Sequence, residues 1–170
     1  MKDKIGLFWL KDDFRLTRNL ALSEATKNHN SVVVFYLFKK EKFANQEAQK
    51  WWISESLKNF EINLNKYNIS LQIISIESYK FFFDKLLSKK NYAIYWNKTY
   101  EPDYLKLDQY LSKKLNEKKV HYKIFKGNIL NENTEVKKGD GSPFKVFTPF
   151  WRVAEKIYAE KIPTKEKKVI

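Results

Sequence analysis

The 170-residue chain contains no cysteine, which excludes disulfides, thiolate metal centres, iron–sulfur ligation and a cysteine nucleophile. Glycine is scarce, at four residues, and none falls in the turn Lys11-Asp12-Asp13-Phe14-Arg15 that follows the first apolar run. Without glycine there the backbone amides cannot close on a pyrophosphate, so a dinucleotide-binding fingerprint is ruled out. The two histidines, His29 and His121, are too far apart in sequence and too isolated to suggest a metal pair or a catalytic dyad, and structural roles are expected for both. Long hydrophobic runs are missing as well. The N-terminal run Ile5 to Leu10 is wrongly flanked for a signal peptide, and no run approaches the roughly 20 residues of a membrane span. A cytoplasmic location is expected.

Arginine is nearly absent. Among 33 basic residues only Arg15, Arg18 and Arg152 are arginine, and lysine lacks the planar fork that reads guanine or grips phosphate through two bonds. The net charge of +13 therefore reads first as a solvated lysine-rich surface, able to give weak, salt-sensitive association with nucleic acid but not base recognition.

What is present is a regular alternation. With 43% hydrophobic residues the chain has enough apolar material for one sizeable core. Lys4–Leu10, Ser31–Phe38, Ser70–Ile76, Asn91–Trp96 and Val120–Phe125 are short and rich in Val, Ile, Phe and Tyr, as expected of strands buried on both faces. Helical patterns lie between them. Asn19 is placed to cap a helix reaching about Asn28, and Ser78 one reaching about Lys89. Between Glu47 and Tyr67 the residues Ile53, Leu57, Phe60, Leu64 and Tyr67 form one apolar stripe. Pro102 suits the first position of a fourth helix whose buried row is Leu107, Leu111 and Leu115. A further helix is expected beyond Trp151, after a polar excursion from Gly127 to Pro143 that holds three of the four glycines.

Strand–helix alternation of this kind implies right-handed crossovers and an α/β doubly wound (Rossmann-like) fold, with a five-stranded parallel sheet in order 3-2-1-4-5 and helices on both faces. Ligands of such sheets bind beyond the carboxyl ends of the strands, where the winding reverses. That point falls between the first and fourth strands, so loops Lys11–Arg18 and Asn97–Glu101 are expected to face one another across a crevice. Asp13 and Arg15 are positioned to pair and stiffen the first of these loops. Trp9 and Trp51 are expected in the core, whereas Trp52 and Trp96 lie near strand ends and are candidates to wall a flat ligand.

Four stretches, in order, carry a resemblance. Trp9-Leu-Lys-Asp-Asp-Phe-Arg-Leu-Thr-Arg-Asn-Leu-Ala-Leu22 resembles the opening of photolyases and cryptochromes, where Trp-Phe-Arg leads to Asp-Leu-Arg and Asp-Asn-x-Ala-Leu. Trp52-Ile-Ser-Glu-Ser-Leu57 is similar to the Phe-Leu-x-x-Ser-Leu helix of that family, and Tyr95-Trp-Asn-Lys-Thr-Tyr-Glu-Pro102 to its Asn-x-x-Tyr-x-Pro turn. Gly141-Ser-Pro-Phe-Lys-Val-Phe-Thr-Pro-Phe150 is similar to the Gly-x-Pro-Tyr-x-Val-Phe-Thr-Pro-Phe segment that leaves the domain. The resemblance implies an α/β antenna domain over residues 1–150, with 151–170 starting the linker to a helical FAD-binding domain that this chain does not contain. It further implies an antenna site, either empty or holding a folate, a deazaflavin or a flavin that passes excitation to the FAD of that next domain. There, reduced FAD splits cyclobutane pyrimidine dimers in DNA.

The family's pocket positions fall here on Lys11, Phe38, Gln49, Trp52, Ile53, Thr99 and Glu101. Some depart from deazaflavin-binding relatives: Thr99 replaces an acidic residue, Leu107 an arginine, and Arg18 the aspartate before Asn19. Asp103, beside Tyr104, is the nearest match to the carboxylate of folate-binding relatives. No catalytic residue and no metal ligand is expected in this chain, and its expected partners are its own helical FAD domain and, through the parent protein, DNA. Alternatives are a cryptochrome photoreceptor fragment, a free-standing nucleotide- or flavin-binding α/β domain, or a basic accessory module. Exposed Phe147, Phe150 and Trp151 are expected where the family's chain turns toward its second domain.

Overall fold

A computed structural model describes residues 4–89, 91–127, 129, 131, 132 and 134–161. Its strands are β1 (Ile5–Leu10), β2 (Val32–Lys39), β3 (Ser70–Ile76), β4 (Tyr92–Asn97) and β5 (Tyr122–Phe125), and its α-helices are α1 (Leu20–Asn28), α2 (Glu47–Asn65), α3 (Tyr79–Leu86), α4 (Pro102–Glu117) and α5 (Phe147–Lys161). A single 3₁₀ turn, Lys40–Phe43, joins β2 to the loop before α2. All strand pairs are parallel, in the order β3-β2-β1-β4-β5. Sheet order and handedness rules therefore agree with the alternation in the sequence.

Two compact units result: one runs through Gly127, and the second begins at Asn128 and contains α5. In the first unit the sheet separates two apolar clusters. On one face Phe8, Leu10, Val34 and Tyr36 meet Leu22 of α1 and Leu57, Phe60 and Leu64 of α2. On the other, Trp9, Phe35, Leu37, Ile94 and Trp96 meet Phe83 of α3 and Leu107, Leu111 and Leu115 of α4. Successive strand residues point to opposite faces, which is why Phe8 and Trp9 belong to different clusters.

Local chemistry explains most boundaries. Asn19 caps α1, accepting a bond from the Leu22 amide at 3.2 Å. Pro102 opens α4, where its missing N–H costs nothing. Gly6 is required by packing, because a Cβ there would lie 2.9 Å from the His29 ring. That ring is buried: Nδ1 donates to the Lys4 carbonyl and Nε2 accepts from the Tyr95 hydroxyl, both at 2.8 Å. His29 is structural, as expected.

Several expectations are corrected. Central β4 is buried throughout, whereas β3 is a sheet edge with Ile73 exposed, so only interior strands are covered on both faces. The fifth strand starts at Tyr122, leaving Val120 and His121 in its approach. Tyr67 lies past the end of α2 and is exposed, so the buried stripe stops at Leu64. Ser78 occupies the cap position of α3 without a side-chain bond to the helix. The last helix begins at Phe147, ahead of Trp151, because Pro149 sits in its first turn and is tolerated there. Trp51 is 67% exposed, not in the core: on α2 it stands two residues before Ile53, about 200° around the helix from the buried stripe.

Candidate functional site

β1 and β4 lie side by side, with Trp9 opposite Trp96, so the residues that follow them meet at the top of the sheet. Two polar networks fix this edge. Asn97, the last residue of β4, donates to Asn19 Oδ1 at 2.9 Å and accepts from the Ala21 amide at 3.3 Å, while Asn19 donates to the Arg15 carbonyl at 2.9 Å. Asp13 and Arg15 form the expected two-bonded pair, at 2.7 Å for each bond. The β1–α1 turn is thereby tied to the end of β4. Nearby, a Cβ on Gly127 would collide with the Lys98 carbonyl, at 2.1 Å, so only glycine permits the β5 exit to pass the β4–α4 loop.

The second network is buried. Lys11 Nζ binds Asp108 Oδ1 at 2.9 Å, and the Trp96 indole N–H donates to the same oxygen at 2.9 Å. The ammonium sits 4.4 Å from the Trp9 ring centroid and 5.0 Å from that of Tyr104, in cation–π range. Burial lowers the affinity of Lys11 for its proton and raises that of Asp108, against the opposing pull of each on the other. Asp108 Oδ2 is buried without a hydrogen-bond partner. Tyr104 stays protonated well beyond the ordinary phenol range, first through burial and then through its contact with Tyr79.

Above Tyr104 opens a cavity of about 380 Å³ lined by Lys39, Glu41, Lys42, Tyr79, Glu101, Asp103, Tyr104 and Leu107. It lies at the carboxyl ends of β2 and β4, at the first turns of α3 and α4. Tyr79 and Tyr104 pack edge to face with centroids 5.9 Å apart, and Lys42 Nζ stands 4.9 Å from the Tyr104 ring. The cavity thus offers two phenol rings and a leucine as an apolar wall, two lysines as cations and three carboxylates at its rim.

A second depression, a groove of about 510 Å³, lies against α2 and is lined by Phe14, Leu16, Thr17, Trp51, Trp52, Glu55, Ser56, Asn59, Phe60 and Asn63. The residues expected to form one pocket are divided between these places. Glu101 lines the cavity at the strand ends, and Trp52, 56% exposed, lines the groove. Lys11 is sealed beneath Tyr104 in its ion pair. Phe38 stacks on Phe43 at 5.3 Å, and Ile53 packs on the α2-side core. Gln49 is exposed on the first turns of α2, and Thr99 is half-buried in the β4–α4 loop. Trp96, a candidate ligand wall, is instead fully buried, stacked on Tyr122 and bound to Asp108. Asp103 lines the cavity. Among the described residues no cluster of three or more His, Asp or Glu side chains could hold a metal ion, and no helix is long and apolar enough to cross a membrane.

Tyr79, Lys42 and Asp108 escaped the reading of the sequence. Asp108 did leave a signal: it follows Leu107 on the buried row of α4, and a carboxylate on an apolar helix face needs a buried partner.

A doubly wound parallel sheet with a ligand-sized cavity on the side of its strands' carboxyl ends defines the class. The particular family follows from comparison: the DNA photolyase family model matches residues 6–167, and the chain belongs to that family, as a photolyase/cryptochrome N-terminal domain. It is 30% identical over 149 residues to a deoxyribodipyrimidine photo-lyase of Agrobacterium fabrum, covering 88% of this chain and 31% of that protein. Cryptochrome-2 of Arabidopsis thaliana is 26% identical over 153 residues, covering 88% and 25%. Among solved structures, a bacterial class III photolyase from Agrobacterium tumefaciens superposes with a TM-score of 0.80 at 29% identity, covering 91% of this chain and 32% of that one. An archaeal photolyase from Sulfolobus tokodaii, solved with two FAD molecules, shares the fold with a TM-score of 0.73 at 21% identity, covering 89% and 35%. The chain spans between a quarter and about a third of the length of these relatives.

Proposed function

We propose that this chain is the light-harvesting domain of a DNA photolyase, in which the cavity at the strand ends seats a flat antenna chromophore. The observation that carries the reading is the position of that cavity: it lies beyond the carboxyl ends of the strands, the side on which doubly wound sheets bind ligands, and about 380 Å³ falls within the usual size of small-molecule sites. Its residues fit such a group. Tyr79, Tyr104 and Leu107 supply an apolar wall for a ring system, while Lys39 and Lys42 suit the carboxylate tail of a folate or the phosphate of a flavin.

When bound, the chromophore supplies absorption in the near-ultraviolet or blue. The protein's part is to hold it. Tyr104 remains a neutral donor because burial holds its proton, and the Lys11–Asp108 pair beneath supports its ring. Of the family's pocket positions, Glu101 sits at the cavity, Phe38 and Thr99 precede its lining residues in sequence, and Lys11 underlies it. Gln49, Trp52 and Ile53 belong to the α2 side.

In the parent protein, excitation passes to reduced FAD in a helical domain, which repairs pyrimidine dimers in the cytoplasm. The stacked Phe147 and Trp151 of α5, with Phe147 70% exposed, fit a surface that docks on that domain. The test is to irradiate dimer-containing oligonucleotide with this chain plus reduced FAD, and with the chain joined to its helical domain. Repair is expected only in the second case, since electron donation needs reduced FAD held beside the flipped dimer, which the helical domain would supply. Repair by the chain alone overturns the reading.

A further inference from the structure

We propose that the groove between the β1–α1 turn and α2 is a base-stacking site for single-stranded nucleic acid, separate from the chromophore cavity. Trp51 and Trp52 are 67% and 56% exposed, side by side on α2. Tryptophan is highly buried on average, and adjoining exposed indoles mark a contact surface. The groove is built, not collapsed. Phe14 meets Trp52 edge to face at 6.0 Å and Phe60 at 6.2 Å, which fixes the floor against the core. Thr17, Ser56, Asn59 and Asn63 place hydroxyl and amide groups along the walls, the kind of groups that bond base edges and sugars.

Charge identifies the occupant. Glu55 is the one acidic residue lining the groove, and Lys58 holds it at 2.7 Å. Lys66 reaches Asn63 at 2.8 Å at the far end of the helix, and exposed Arg15, paired with Asp13, and exposed Arg18 flank Leu16 and Thr17 on the turn. Cations thus lie in the segments that border an aromatic floor whose acid is paired, within a chain of net charge +13. Aromatic platforms bordered by cations are how proteins hold single strands without reading their sequence, the bases stacking while the phosphates meet lysine and arginine. A neutral sugar would gain nothing from the positive charge of this surface, and a second copy of this chain would bring its own positive charge against it.

The experiment uses the 170-residue chain carrying Trp151→Phe, so that the solvent-facing emission comes from Trp51 and Trp52, with Trp9 and Trp96 buried. A short oligothymidylate is titrated at low and at physiological salt, and a neutral maltooligosaccharide serves as control. Oligothymidylate is expected to quench the emission, more weakly as salt rises. Trp51→Ala/Trp52→Ala should weaken binding about tenfold or more, as lost stacking predicts, with circular dichroism unchanged and only a small drop in melting temperature from the lost Phe14–Trp52 contact. Trp51→Phe/Trp52→Phe, followed by anisotropy of labelled oligonucleotide, should retain most of the affinity. The proposal is overturned if the alanine pair binds like the parent, which would make the association purely electrostatic, if the oligosaccharide quenches equally, or if light scattering shows self-association through the two tryptophans in place of oligonucleotide binding.

Discussion

The two faces of the sheet solve the same burial problem differently. On the α1/α2 face the interior is apolar apart from the His29–Tyr95 bond, and its outer margin leaves Trp51 and Trp52 in solvent. On the α3/α4 face the tryptophans Trp9 and Trp96 are buried, and an ion pair is buried with them. The first face keeps its aromatic surface available; the second places charge beneath a cavity. Stability should therefore be most sensitive to polar substitution on the α3/α4 face and least sensitive to aromatic substitution on the rim of the α1/α2 face.

Breaking the buried pair should have the largest effect. Asp108→Ala leaves Lys11 charged and unpaired and is expected to cost about 3–5 kcal/mol in urea unfolding. Replacing both partners, Lys11→Met with Asp108→Leu, should recover most of that loss, because burial already disfavours both charges. A double variant as unstable as the single one would show that the pair is needed for its attraction and not merely balanced.

Asn97→Ala comes next. It strands the Ala21 amide and removes the clamp on Asn19, with an expected loss of about 1–3 kcal/mol. By contrast, Trp51→Ser on the open margin should change stability by no more than about 0.5 kcal/mol, and a larger loss would mean that the groove's floor belongs to the core.

The smallest effect concerns pH. Glu24 on α1 accepts from Lys123 on β5 at 2.8 Å, which lowers its pKa. A carboxylate lowered in the folded state adds stability above its unfolded pKa of about 4.3, and that stability is lost as pH falls through the folded value. Lys123→Gln should flatten this part of the stability profile, with a small loss present at neutral pH that vanishes as pH falls and Glu24 is protonated in both proteins. An unaltered profile would remove the pair from the account.

The fold was legible because its signals are local and repeated. Alternating apolar runs, Asn19 at a cap and Pro102 at a helix start each specify an element, and handedness turns their order into a sheet. The site was less legible because it depends on which helix face meets which strand end. Glu101 and Asp103 are found at the cavity, yet Tyr79 and Lys42 come from segments that sequence spacing does not bring near Tyr104. Trp51 and Trp96 were misplaced for related reasons. Aromatic character records that a residue buries area when it can, not whether its helix face or strand end leaves room to do so.

The central claim, that the strand-end cavity seats the antenna, is tested most directly by equilibrium dialysis of the chain against a folate, a deazaflavin and a flavin, with retained visible or near-ultraviolet absorbance as the readout. The comparison is with Glu101→Trp, which puts an indole at the cavity's rim from an exposed position that forms no side-chain cap on α4. The account predicts that at least one chromophore is retained by the parent chain and lost from the variant, with both proteins melting alike. Retention by the variant equal to that of the parent would contradict it, as would failure of all three chromophores to bind the parent.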